Sequence, residues 1–127
     1  MTDWVLDASA ALALLLDEPG ADRVAMALAS AIISAVNASE VVERLMRGGG
    51  EPRDARQLLL ALGCPIISVD AELGFRAGTL SAETRSTGLS LGDRICLALA
   101  EREHVPALTA DRAWSSLQVG IQVQLIR

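Results

Sequence analysis

Five short aliphatic runs alternate with longer stretches of helical periodicity, and this alternation constrains the fold more than any other feature of the chain. The runs are Trp4-Val5-Leu6, Ala31-Ile32-Ile33, Pro65-Ile66-Ile67 with Val69, Ala107-Leu108, and Ile121 to Ile126. Helical stretches cover 8–16, 21–29, 35–47, 52–62, 71–85 and 91–102, with a short one after Asp111. Continuous aliphatic runs suit strands buried on both faces, as in parallel sheets covered by helices. Strands alternating with helices predict an α/β fold with a mostly parallel sheet of about five strands.

Local chemistry marks several boundaries. Pro52 can open a helix in its first turn, where its missing N–H costs nothing. Gly88 is placed to end one helix and Ser90 to cap the next. Gly48-Gly49-Gly50 reads as a connector, since no Gly-Lys-Ser/Thr follows to make a phosphate loop. There are no internal repeats and no long linker, so residues 1–127 are expected to form one domain.

Composition excludes more than it selects. Cys64 and Cys96 are far apart and outside any metal-ligand spacing, which predicts buried, reduced thiols. With His104 as the single histidine, near a helix end, neither a histidine-based triad nor a histidine-rich zinc site is available. The longest apolar run, Ala8 to Leu16, is broken at Asp17-Glu18-Pro19 and falls short of the about 20 residues that span a bilayer. With no basic leader before it, the expectation is a cytoplasmic protein that does not enter the membrane.

The net charge of −5 runs against a nucleic-acid-binding role, yet all eleven basic residues are arginine. Arginine is the better fork for phosphate, although genome composition accounts for most of the eleven and leaves a phosphate role open for a few. Trp4, Phe75 and Trp114 are the only aromatics, too few for a base-stacking platform.

Four acids stand beside strands or at helix starts. Asp7 follows the first strand in Val5-Leu6-Asp7-Ala8-Ser9, and Asp111 follows the fourth in Leu108-Thr109-Ala110-Asp111-Arg112. Glu40 lies on the helix after the second strand, in Ser34-Ala35-Val36-Asn37-Ala38-Ser39-Glu40-Val41. Asp93 opens a helix in Leu89-Ser90-Leu91-Gly92-Asp93. Sites in open α/β sheets form outside the carboxyl ends of the strands. If the strands bearing Asp7 and Asp111 are neighbours, about 4.8 Å apart, their carboxylates can share one hard cation such as Mg2+ or Mn2+. Each acid also has an ordinary explanation. Asp7 and Asp111 could cap the helices that follow, Ser90 and Asp93 stand at capping-box spacing, and Glu40 falls on the polar side of its helix.

In order along the chain, these four segments resemble the signature regions of VapC-type PIN domains, the toxin ribonucleases of type II (VapBC) toxin–antitoxin systems. The resemblance covers nearly all of the chain. It implies a three-layer α/β/α sandwich around a parallel sheet of order 3-2-1-4-5. It implies that Asp7, Glu40, Asp93 and Asp111 form an acidic site holding Mg2+ or Mn2+, with Ser9 and Thr109 supporting it. Glu40 would bind the cation directly, through water, or help to activate the attacking water; Glu43, one turn beyond, is the competing acid. Arg94 and Arg112 adjoin site acids and could neutralise them, touch RNA phosphate, or form surface salt bridges.

The activity implied is metal-assisted hydrolysis of RNA phosphodiesters, leaving a 5′-phosphate and a 3′-hydroxyl, on single-stranded or looped segments of transfer or ribosomal RNA. The partners implied are a cognate VapB-like antitoxin, covering Leu12 to Leu16 and the helices from Ala21 to Arg47, and a second copy in a homodimer. A catalytically silent PIN module that only binds protein or RNA is the alternative. A receiver domain or a haloacid-type phosphatase also gathers acids at strand ends, but each needs a lysine and the chain has none.

Overall fold

The computed structural model describes residues 1–127. Its five strands are β1 (Trp4–Leu6), β2 (Ala31–Ser34), β3 (Ile66–Ile67), β4 (Ala107–Thr109) and β5 (Val123–Leu125). Six helices connect them: α1 (Ala8–Leu15), α2 (Ala21–Ala27), α3 (Ala35–Arg47), α4 (Pro52–Ala61), α5 (Ala71–Glu83) and α6 (Leu91–Glu103). Short 3-10 turns cover Leu28–Ser30 and Arg112–Ser116. All strand pairs are parallel, in the order β3-β2-β1-β4-β5. The expected order is therefore the observed one, and Leu6 is flanked by Ile33 on one side and Leu108 on the other.

Alternation along the strands builds two apolar layers, because successive side chains point to opposite faces. Leu6, Ala31, Ile33 and Leu108 pack with α1 to α4, whereas Val5, Ile32 and Ala107 pack with α5, α6 and Trp114. The result is the three-layer α/β/α sandwich. Helix α6 carries the longest buried run in the chain's helices, with every residue from Ile95 to Ala100 buried.

Several boundaries differ from the sequence expectation. β3 shrinks to two residues at the sheet edge, where one neighbour supplies all of its pairing. β5 begins at Val123 rather than Ile121. α5 ends at Glu83, well before Gly88, whose N–H instead closes a turn on the Thr84 carbonyl. The α-helix of α2 stops at Ala27 and tightens into the 3-10 turn. Pro52 does occupy the first turn of α4, and Ser90 does cap α6.

One glycine ties the end of the chain to the start of α2. Gly20 has φ +97°, and a Cβ there would stand 2.7 Å from the Ile126 carbonyl oxygen. The adjacent Arg127 donates from Nη1 to the Pro19 carbonyl at 2.7 Å. Gly20→Ala combines backbone strain with a collision against backbone, so it is expected to cost more than about 1 kcal/mol. Chemical denaturation measures this, and an unchanged midpoint would contradict it.

Candidate active site

Asp7 lies at the carboxyl end of β1, only 4% exposed, between the two neighbouring strands. It occupies the capping position of α1 but makes no side-chain cap bond, so capping does not explain it. Its Oδ2 accepts from Ser9 Oγ at 2.7 Å and from Thr109 Oγ1 at 2.9 Å. Both hydroxyl oxygens are themselves acceptors, for the Ala110 and Asp111 N–H groups at 2.9 and 3.0 Å. A hydroxyl has one proton to give; each of these accepts one backbone N–H and sets its proton within reach of Asp7, and the two hydroxyl oxygens lie 3.2 Å from one another.

Glu40 does not stand in solvent as its helical position suggested. It is half-buried, turned from α3 toward the first turn of α6. Its Oε1 accepts from Asn37 Nδ2 at 2.8 Å. Asn37 is fully buried; its Nδ2 also donates to the Gly92 carbonyl at 3.0 Å, and its Oδ1 accepts from Ser34 Oγ at 2.7 Å. Ser34 in turn caps α3 by accepting from the Asn37 N–H.

Asp93 and Asp111 do act as caps. Asp93 Oδ2 accepts from the Ser90 N–H at 3.0 Å, completing a capping box with Ser90 Oγ. Asp111 Oδ1 accepts from the Ala113 N–H at 3.0 Å. The close hydrogen bonds to each of the four carboxylates run through one oxygen: Oδ2 of Asp7 and Asp93, Oε1 of Glu40 and Oδ1 of Asp111.

Burial and mutual repulsion act on these acids in the direction expected of carboxylates crowded without a counter-ion. Burial, reinforced by the Asp93 charge, pushes Asp7 up to about 6, although the two hydroxyls pull the other way. Burial also raises Glu40, again with the charge of Asp93 adding to it. Asp93 is raised by burial and by Asp111, while Ser90 and, more weakly, Arg94 oppose the shift. Cys96 lies wholly buried in α6, and its thiol is held well above its ordinary value, first by burial and then by Asp7, Asp93 and Glu40. Cys64 donates to the Ala31 carbonyl and is pushed up to about 11 by burial. Both cysteines are free thiols, as the sequence suggested.

No three acidic, histidine or cysteine side chains converge tightly enough to enclose an ion by themselves. The donor set is one of hard carboxylate oxygens with free lone pairs, partly buried and mutually repelling. This suits Mg2+, which binds through one or two carboxylates and keeps much of its water. It is unsuited to a cation that needs a closed protein cage.

Residues 4–119 match the family model for the PIN domain. The chain belongs to the PIN-domain family. Members of the family are generally nucleases. Its fold is similar to that of a DNA-bound VapBC from Salmonella typhimurium, with a TM-score of 0.76, 14% identity and 100% of each chain covered. It also resembles VapBC2 from Rickettsia felis bound to a promoter DNA fragment, with a TM-score of 0.75, 14% identity, and 97% of this chain and 98% of that one covered. A toxin–antitoxin complex from Klebsiella pneumoniae gives a TM-score of 0.73 at 21% identity, with 98% of both chains covered. At such identities the likeness speaks for the fold alone. No curated protein sequence matches the chain.

In this PIN domain the sheet order brings Asp7, Ser9, Thr109 and Asp111 together, and the capped starts of α3 and α6 bring Glu40 and Asp93 beside them. Glu43 points elsewhere: it is exposed and paired with Arg47 at 3.4 Å. Arg94 is turned onto α5, where Nη1 donates to the Ala77 carbonyl at 2.8 Å. Arg112 is exposed and forms no salt bridge. Sequence reasoning missed Asn37 and Gly92. The available signal was the spacing Ser34, Asn37, Glu40, which places three polar residues along one side of a helix otherwise stabilised by apolar packing.

The raised carboxyl of Asp7 has a definite consequence for stability. Between about pH 4 and 6 the folded protein holds a proton that the unfolded chain has already lost, so stability falls as pH rises through this window. Above it the cost is fully present. Asp7→Asn keeps an acceptor for Ser9 and Thr109 while removing the charge. In metal-free buffer it is expected to stabilise the protein at pH 8, by at most about 3 kcal/mol, and to bring no gain at pH 4. Thermal melts at the two pH values check both halves of the expectation.

Proposed function

We propose that this PIN domain is a Mg2+- or Mn2+-dependent endoribonuclease, the toxin of a VapBC-type toxin–antitoxin pair. The observation that carries the proposal is the set of four carboxylates, each pinned through one oxygen and three of them raised by burial and mutual repulsion, at the carboxyl end of a parallel sheet. Asp7, Asp93 and Asp111 would hold the cation, one or two of them directly and the rest through its water, and Glu40 would bind it directly or through water. When bound, the cation supplies an activated water and neutralises charge developing on the phosphoryl group.

The chain's own residues do the rest. Ser9 and Thr109 fix one oxygen of Asp7 and keep the carboxylate in place. Glu40, raised by burial and by Asp93, is suited to take a proton from an attacking water. Arg94 offsets part of the Asp93 charge. Arg112, beside Asp111 and exposed, is placed to meet an RNA phosphate.

Several further points belong to the same proposal. Transfer or ribosomal RNA is the substrate class, cut in unstacked loops. Trp114 is buried and Trp4 lies under Arg23 at 4.4 Å, which leaves Phe75 on α5 as the one freely exposed aromatic, so base stacking contributes little to recognition. Binding would instead lean on the cation and on a second copy in a homodimer. A VapB-like antitoxin would make a hetero-oligomer, because the structural neighbours are VapBC complexes and Leu16 and Met26 stand exposed at α1 and α2. No helix is long and apolar enough to cross a membrane, and a cytoplasmic location is the one that fits this role.

The test is cleavage of a structured RNA pool by purified, partner-free protein with Mg2+, with Mn2+ and with EDTA, beside Asp7→Ala. Cleavage that needs metal and falls at least about 100-fold in the variant is expected. Folded protein that leaves a broad RNA pool intact under all conditions would point to the silent binding module.

A further inference from the structure

The carboxylate of Glu40 sits against a residue that has no side chain. A Cβ at Gly92 would stand 2.5 Å from Glu40 Oε1, 2.6 Å from Oε2 and 2.7 Å from Cδ. The same carboxylate is held from the other side by Asn37 Nδ2, which reaches across to the Gly92 carbonyl as well. Asn37 is 0% exposed, and each of its side-chain heteroatoms is engaged by Ser34, Glu40 or Gly92. One buried amide therefore links the start of α3 to the start of α6 and bonds the acid in the gap between them.

We propose that Asn37 and Gly92 together form a seat that positions Glu40, with Asn37 fixing the direction of its carboxylate and Gly92 supplying the room. Neither touches substrate. Both act through Glu40, and the inference rests on the nuclease activity proposed above.

The contact predicts an unusual phenotype for Gly92→Ala. The atoms in the way belong to the tip of a flexible side chain, not to backbone, so the new methyl displaces Glu40 rather than unfolding the protein. Alanine is also the better helix former by about 1 kcal/mol. The variant should melt no lower than the wild type while its site is disordered. Supporting groups of this kind are typically worth 10–100-fold in activity or metal affinity.

The decisive experiment is a double-mutant cycle of Gly92→Ala with Glu40→Asp, read by RNA cleavage, by Mn2+ affinity from electron paramagnetic resonance, and by melting temperature. Gly92→Ala is expected to lower kcat and Mn2+ affinity 10–100-fold, with KM for RNA and melting temperature maintained. Asp is one methylene shorter and clears the added methyl. Glu40→Asp should therefore cost much less in the Gly92→Ala background than alone, because coupled sites are non-additive. Asn37→Asp sets an acceptor against Glu40 and should lower kcat to a similar extent, whereas Asn37→Ser keeps a small donor and should retain more. In metal-free Gly92→Ala, the side-chain amide signals of Asn37 in 15N NMR should shift as Glu40 leaves.

Losses that multiply across the cycle, or unchanged Asn37 amide signals, would overturn the seat while leaving the nuclease intact. So would a Gly92→Ala protein as active as the wild type. A wild type that neither cleaves RNA nor binds Mn2+ would remove the proposed function, and the inference with it.

Discussion

A single negative charge buried at the end of the central strand sets the terms for this molecule. β1 is flanked on both sides, so Asp7, the first residue beyond it, has little access to water. A carboxylate in such a place must be hydrogen-bonded or neutralised. The fold satisfies half of that demand. Ser9 on α1 and Thr109 at the end of β4 both donate to Oδ2, and backbone N–H groups orient both hydroxyls. This works only because β1 and β4 are neighbours, which brings residues 102 positions apart into contact. The nearby Asp93 charge raises the Asp7 carboxyl further. The folded state thus holds an electrostatic deficit that a cation or a proton can relieve.

The alternatives weighed for each acid turn out not to exclude one another. Capping and site formation are the same geometry seen from two sides. A carboxylate that accepts from a helix N-terminal N–H with one oxygen is fixed in direction, at a place where the helix dipole favours negative charge. Asp93 and Asp111 are held in this way, whereas Asp7 and Glu40 are held by side chains. The cluster is thereby preorganised without being closed, an arrangement suited to a hydrated cation.

The kinds of element, their sequence and the two faces of each strand follow from hydrophobic periodicity, because strand and helix repeats differ so plainly in this aliphatic chain. The strand order was not legible from periodicity and came from the resemblance carried by the four acidic segments. Element ends were read least well where a single partner or a turn decides them, as at β3 and at Gly88. Asp7, Asp93 and Asp111 could be placed at the carboxyl end of the sheet because strand ends and helix caps locate them. Glu40 could be named but not oriented. Its burial depends on α6 lying across the start of α3, and on residue 92 being glycine, a tertiary coincidence that local pattern does not encode.

The arginines show how the acidic site is held despite its own repulsion. Arg76 on α5 forms a fork with Glu101 on α6, through Nε at 2.7 Å and Nη2 at 2.9 Å, and reaches Glu83 as well. Arg102 on α6 bonds Asp70 at the start of α5, and Arg94 spans from α6 back to the Ala77 carbonyl. Exposed ion pairs taken singly contribute little, but these bonds, apart from Arg76–Glu83 within α5, all join the same two helices. They act on α6, whose first turn carries Asp93 and the gap at Gly92, and whose buried middle packs against the sheet. Three of the eleven arginines therefore serve as a brace. Arg44, Arg53, Arg56, Arg85 and Arg112 stand exposed outside any salt bridge, on α3, on α4 and in the segments after α5 and β4, so the chain's free positive charge is spread over its surface while its negative charge is gathered at one end of the sheet.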